Sequence, residues 1–314
     1  MTLISLASQR RRAAAGAFLA AGALLLSACG DHTDDAGDSD GGPAGGSSSS
    51  SQAPLFDLLP EDIQRAGEIK VGSDIAYPPI EYVDENDEIV GIDPDIAAAL
   101  GEVLGVEFTF QNGTFDGLVL GMNNGRHDVI MSAMTDTPER QQGATDDAEG
   151  GADFVDYFRA GSAILVAAGN PEGIQSTADL CGLTVAAQQG TANEQVIEDA
   201  QAECGDEPIH AVINEVDTDS ITALQSGRAQ AVITDFPVAL YNQQTAGGGE
   251  LFEVVGEQIN AAPYGIAVPK DDTRLRDALQ AALQRIIEDG TYAEILDKWD
   301  AASGAVDEAT INAG

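Results

Sequence analysis

From residue 68 onward, apolar and polar positions switch between a two-residue and a 3.6-residue rhythm, and the switching predicts an α/β protein. Residues 68–74 (EIKVGSD) read as a buried strand, and residues 80–91 as two short strands around an Asp84-Glu85-Asn86-Asp87 turn. A helix is predicted to start at Asp93 or Pro94. Proline in a first turn forfeits no needed donor, Ile96, Leu100, Val103 and Leu104 fall at core-facing spacing, and Gly105 ends the run. A strand over 107–110, a helix over 116–124 and a strand over 128–131 follow, so β and α alternate at the βαβ interval. After a strand over 162–168 a second cycle begins, with strands over 184–187, 209–213 and 229–234 alternating with helices over 192–202, 219–226 and 237–244. A last strand over 264–268 precedes helices over 273–287 and 292–299. Two α/β lobes built on open sheets fit a chain of 314 residues.

The first 54 residues follow another pattern. Arg10, Arg11 and Arg12 precede an apolar run over 13–26, too short for a bilayer that needs ~20 apolar residues but suited to a secretory signal. The run ends in Leu26-Ser27-Ala28-Cys29, which resembles the bacterial lipobox. That resemblance implies a signal peptide over 1–28 and diacylation of Cys29, with an ordinary signal peptide and a chance cysteine as the alternative. Residues 30–52 hold no large apolar side chain, and a flexible tether over 29–54, about 25 Å long on average, is expected. The export route, general or twin-arginine, stays open, although Ala13 after Arg11-Arg12 weakens the twin-arginine reading.

Charge then narrows the function. The chain carries 53 acidic and 14 basic side chains, a net charge of -39, and none of its acids lies in the leader. No basic patch is available for nucleic-acid phosphates, so a nucleic-acid partner is excluded. With 43% apolar residues the chain is too hydrophobic for wholesale disorder. An acidic surface weakly favours cationic over anionic ligands at long range. Beyond Cys29 the cysteines are Cys181 and Cys204, and an exported compartment permits a disulfide between them, worth roughly 3 kcal/mol in the loop-entropy account. Two independent buried thiols are the alternative. His32, His127 and His210 lack metal-ligand spacing, so no metal is expected. No phosphate-binding glycine loop or hydrolase triad is spaced credibly, and no cofactor is expected.

Five segments occur in order: YPPIEY from Tyr77, GIDPDIAAALGEVLG from Gly91, GRHDVIMSAMTDTPER from Gly125, QQGTANE from Gln188 and GTYAEILDKWD from Gly290. Together they resemble the signature blocks of bacterial extracellular solute-binding proteins of family 3, the polar amino acid receptors of ABC importers, over nearly all of residues 68–300. The resemblance implies an α/β, two-lobed type 2 periplasmic binding protein in which lobe 1 (55–161 and 256–314) is discontinuous around lobe 2 (162–255). Two departures concern the pocket rim near the hinge. The family's Asp-Pro-Tyr reads Val155-Asp156-Tyr157 here, and the acidic, glycine-rich stretch 143–151 is long.

A free amino acid brings a carboxylate and an ammonium that must both be paired once their water is stripped. The resemblance assigns the carboxylate to Arg140, whose planar fork gives two charge-assisted bonds. A solvated surface arginine is the alternative. The helix start at Thr191 and Ala192 offers N–H groups to the same carboxylate, compatibly with a threonine N-cap. Asp235, at the end of a strand, is assigned the ammonium, with a plain helix cap as the alternative. Thr135 and the backbone of Ala133 resemble further ligand positions, Thr135 also reading as a turn hydroxyl. Tyr77 and Phe115 resemble the family's aromatic pair around the ligand side chain, or else belong to the core. Asp74 stands where relatives that take cationic amino acids place an aspartate; a side chain bonding the turn before Tyr77 is the other reading. Trp299 reads as a plug of lobe 1.

The expected function is the substrate-binding component of an ABC importer for a polar amino acid, leaning to cationic or uncharged side chains. It would be monomeric, lipid-anchored at the outer face of the cytoplasmic membrane, and would close two lobes over the amino acid before meeting permease and ATPase subunits. An enzyme on the same fold, similar to cyclohexadienyl dehydratases, is the alternative. A sensor ectodomain is a weaker expectation, as no signalling domain follows residue 314.

Overall fold

The computed structural model describes residues 53–144 and 148–314. The signal peptide, Cys29 and the tether up to residue 52 lie outside the described residues, as does the middle of the 143–151 stretch.

The first lobe opens with α1 (Glu61–Ala66), β1 (Glu68–Ser73) and a three-stranded patch of β2 (Ala76–Tyr77), β3 (Glu81–Val83) and β4 (Ile89–Val90). Helix α2 (Ile92–Leu104) follows, one or two residues earlier than predicted, because Gly91 takes a φ of 142° and serves as its N-cap. A side chain at Gly91 would stand 2.2 Å from the Ile80 carbonyl oxygen. β5 (Glu107–Asn112), a 3₁₀ turn at Phe115, α3 (Leu118–Asn123), β6 (Val129–Ile130) and the single turn α4 (Pro138–Gln142) complete this part. Strand β1 runs parallel between β5 and β6.

The chain then crosses on β7 (Asp153–Ala167), 15 residues long, and the short strand expected over 162–168 is only its far end. The second lobe comprises β8 (Thr184–Gln188), α5 (Ala192–Glu203), β9 (His210–Asn214), α6 (Asp217–Gln225), β10 (Ala231–Asp235) and α7 (Phe236–Thr245). β11 (Phe252–Val268), 17 residues long, returns antiparallel to β7 with three register shifts. Helices α8 (Thr273–Asp289) and α9 (Thr291–Lys298) pack back on α2, and β12 (Thr310–Ile311) adds to β7.

One sheet therefore runs through both lobes in the order β5-β1-β6-β11-β7-β10-β8-β9, with the β7–β11 ribbon at its centre. Each lobe keeps its own core. Ile96, Leu100 and Leu104 of α2 meet Leu279, Leu283 and Ile286 of α8 over Ile69 and Val71 in the first. Val185, Val196, Ile197 and Ile233 anchor the second. Truncating one such leucine to alanine costs about 2–5 kcal/mol. Trp299 sits at the margin of the first core, its Nε1 donating to Asp95 Oδ2 at 2.6 Å. Cys181 and Cys204 are disulfide-bonded and tie the end of α5 to the turn before β8, away from the lobe boundary.

Candidate binding cleft between the lobes

Parallel strands present ligand groups at their C-terminal ends. β1 ends at Ser73, so Asp74 is delivered to the boundary between the lobes. Its backbone N–H donates to Ser132 Oγ at 3.0 Å, and its carboxylate accepts from Gln188 Nε2 at the end of β8. The turn before Tyr77 is held by the Asp74 backbone carbonyl instead, to which Ala76 N–H donates at 2.8 Å. Asp74 therefore faces the other lobe. Burial pushes its carboxyl up to about 6, against the Gln188 hydrogen bond and with help from Glu215 and Asp116.

Tyr77 spans the boundary. Its hydroxyl lies 3.1 Å from Thr234 Oγ1 and accepts from Asp235 N–H at 3.1 Å. Phe115 is equally buried, and the Arg140 guanidinium carbon stands 5.3 Å from its ring centre. Arg140 is 6% exposed, which removes the solvated-surface reading. Thr137 caps α4, Pro138 follows at its first position, and the turn directs the Arg140 fork to Thr135 O at 2.8 Å and Gly190 O at 2.9 Å. The Gly190 carbonyl belongs to the second lobe, and Gly190 has a φ of 71° and no room for a side chain against Asp116.

On the second lobe, Thr191 caps α5 by accepting from Glu194 N–H at 3.2 Å, so the cap is real and Ala192 begins the helix beside the cavity. Asp235 ends β10 and precedes α7, yet its side chain makes no cap bond. It accepts from Asn193 Nδ2 at 3.0 Å instead, and burial raises its carboxyl while the Asn193 hydrogen bond and the Arg140 charge oppose the shift. Asp217, the first residue of α6, is also buried and is pushed up to about 7 by burial, with the Asp235 and Asp74 charges adding to it.

Beneath the first lobe's wall lies a second acidic group. Ser132 Oγ donates to Glu81 Oε1 at 2.7 Å, Ala133 N–H donates to Asp93 Oδ2 at 3.2 Å, and Tyr157 OH donates to Asp93 Oδ1 at 2.7 Å. Ala133 adopts a φ of 46° to do so, a strained conformation for a residue with a side chain. Burial raises Glu81 well above the carboxylate range and Asp93 to about 7.

Asp74, Tyr77, Phe115, Ala133, Thr135, Thr191, Ala192 and Asp235 line one narrow cavity, together with Glu81, Ser132, Gln188 and Asn193. Arg140 lines a larger adjoining groove that shares Thr135, Thr191, Ala192 and Asp235 with it. Every side chain singled out from the sequence for a ligand is thus gathered at one place. Its lining holds three carboxyls and, among the described residues, Arg140 alone as a permanent cation at its edge. No group of metal-ligating side chains occurs among the described residues.

The sequence profile of bacterial extracellular solute-binding proteins, family 3, matches residues 69–302. The chain belongs to this family. An arginine-binding protein of Corynebacterium glutamicum is 33% identical over 81% of this chain and 81% of its own length. Among solved structures, this family 3 protein is similar to an ancestral arginine-binding protein bound to arginine, at 36% identity and a TM-score of 0.67, over 74% of this chain and 98% of that one. It is also similar to an ancestral amino acid-binding protein described as a precursor of cyclohexadienyl dehydratase, at 32% identity and a TM-score of 0.66, over 77% and 99% of the two chains. These likenesses establish the two-lobed binding-protein fold with a mixed α/β sheet.

Glu81, Asp93, Ser132, Gln188, Asn193 and Asp217 escape the sequence reading. Asp93 carried a legible signal, since it lies three, four and seven residues before Ile96, Ala97 and Leu100, on the helix face that enters the core. Glu81 alternates with Tyr82 on a short strand and so points inward, but a two-residue rhythm over three residues is too brief to read.

Proposed function

We propose that this family 3 protein is the extracytoplasmic receptor of an ABC importer for a cationic amino acid with an arginine-like side chain. The observation that carries the reading is the charge of the cleft: Asp74, Glu81 and Asp235 line it, and Arg140 is its one guanidinium among the described residues. In this assignment Arg140, with Thr135 and the start of α5 at Thr191 and Ala192, holds the α-carboxylate. Asp235 takes the α-ammonium, Tyr77 and Phe115 flank the methylenes, and Asp74 and Glu81 meet the distal cation. Relatives named for arginine support the choice.

Closure is the working step. Lobe 1 is taken as 55–161 with 256–314 and lobe 2 as 162–255, so Arg140 and Asp235 come from different lobes and a ligand paired to both favours the closed state. The lipobox-like Cys29 would hold the receptor at the outer face of the membrane, as a monomer, beside its permease and ATPase partners.

A dehydratase reading draws on one observation, the buried Glu81, whose carboxyl burial pushes upward, lining the cavity where a general acid would stand. A substrate with two carboxylates, such as prephenate, would need a second cation beside Arg140 and would meet three carboxyls instead. An assay for phenylpyruvate release separates the readings. The test of the receptor is a thermal-shift panel of the twenty amino acids, ornithine, citrulline and prephenate. A ligand at 100 times its Kd adds about 2.7 kcal/mol, and arginine, lysine or ornithine is expected to give the largest shift. A shift from glutamate or prephenate alone would overturn the assignment.

A further inference from the structure

The pair Glu81 and Asp93 stands apart from every other charged group in the cleft. Glu81 is fully buried, lines the cavity, and keeps its Oε2 without any donor, while Oε1 takes the Ser132 hydroxyl. Asp93, also fully buried, lies beside it: its backbone N–H donates to the carbonyl of Ile80, the residue before Glu81, at 3.0 Å, and its carboxylate oxygens accept from Tyr157 and from Ala133, the neighbour of Ser132. Two fully buried neighbouring carboxyl groups with no cation beside them hold a proton, because two like charges out of water repel and neither supplies a donor when ionised. Neither forms an ion pair with lysine or arginine among the described residues. The titratable groups that face the pair are Asp74 at the end of β1 and Tyr157 on β7. Glu215, Asp116 and Asp217 reach it only through Asp74.

We infer that Glu81 and Asp93 hold one shared proton in the ligand-free receptor and that the ligand's distal cation displaces it, so that capture exchanges a cation for a proton. The inference rests on the cationic-ligand reading above. Before binding, the proton neutralises half of the pair; afterwards the cation supplies the positive charge against the free face of Glu81, and the proton leaves to buffer with no bond of the ligand altered. An opposite charge within ~4–6 Å lowers a carboxyl by about 1–3 pH units, enough to carry a buried pair through neutrality. Specificity follows from the same exchange. A neutral isostere such as citrulline cannot replace the proton's charge and leaves it in place. Asp74, held at about 6, is already mostly ionised at neutral pH and contributes release only in acid.

The experiment is isothermal titration of the full chain with L-arginine at pH 7, in phosphate and in Tris, whose ionisation enthalpies differ. The expected result is release of about one proton per arginine, with affinity weakening about tenfold for each unit the pH is lowered below neutrality, where release is complete. Citrulline is expected to release none. In Glu81→Gln, which keeps the shape and the Ser132 bond, release is expected to vanish. Arginine binding with no proton release, or with release unchanged in Glu81→Gln, would overturn the inference while leaving the receptor reading intact. Failure of arginine, lysine and ornithine to bind at all would overturn both.

Discussion

The two ends of the cleft solve the same problem, a charge out of water, in different ways. At the Arg140 end fixed dipoles meet the charged groups: the guanidinium donates to the Thr135 and Gly190 carbonyls, and Asp235 accepts from the Asn193 amide. At the other end Asp74, Glu81 and Asp93 crowd one another, and burial pushes all three carboxyls upward, furthest for Glu81 and Asp93, so that protons can balance the charge there. The difference teaches where each task belongs. Dipoles hold a preset frame for the carboxylate and ammonium common to all amino acids, whereas protons can leave, and so the acidic end is suited to choosing among side chains. Buried charges with one partner removed are costly, so each end is expected to fail in its own way.

The largest effect is expected at the preset end. Arg140→Ala should weaken arginine binding by 100-fold or more, on the order of 3 kcal/mol, because the ligand carboxylate would be dry and unpaired. Calorimetric titration reads this directly, and an unchanged affinity would place the carboxylate elsewhere.

Asp217, between the two ends, tests the proton side through stability. Its folded-state value of about 7 stands above the unfolded value near 3.8, so the folded chain holds a proton that the unfolded chain has lost. The stability linked to this group is therefore complete below about pH 4 and drains away as pH rises through 7. Asp217→Asn should raise the ligand-free Tm by several degrees at pH 8 and leave it nearly unchanged at pH 4. A gain of the same size at both pH values would mean that the side chain is not protonated in the folded state.

The smallest effect is expected where the ends share a neutral strut. Tyr77→Phe removes the hydroxyl that touches Thr234 and Asp235 N–H across the lobes and should cost about 1 kcal/mol of affinity, roughly a factor of five, without changing the order of ligand preference. A reversal of preference would show that Tyr77 reads the side chain.

Much of the fold was legible because its signals are local. α2 announces itself through Ile96, Leu100 and Leu104 and stops at Gly105, which takes the left-handed conformation that a helix end favours. The long strands β7 and β11 were not, since their meaning is topological. The local pattern places no element over residues 153–161 and 252–263, and only pairing across the β7–β11 ribbon, with its register shifts, makes them strands. In the cleft, Asp74, Asp235 and Arg140 could be picked out because strand ends and the Thr-Pro-Glu-Arg turn fix where they must lie. Glu81, Gln188 and Asn193 look like ordinary polar residues until the second lobe, more than a hundred residues away for Asp74 and Gln188, is folded against the first.

The most direct test of the central claim, that the acidic end selects a cationic side chain, is a paired titration with arginine and citrulline at pH 7.5. The two ligands share length and shape and differ in the charge of the terminal group. Arginine is expected to bind at least about tenfold more tightly, the value of one well-placed charge pair. Equal affinities, or tighter binding of citrulline, would contradict the claim that Asp74 and Glu81 read the ligand's charge.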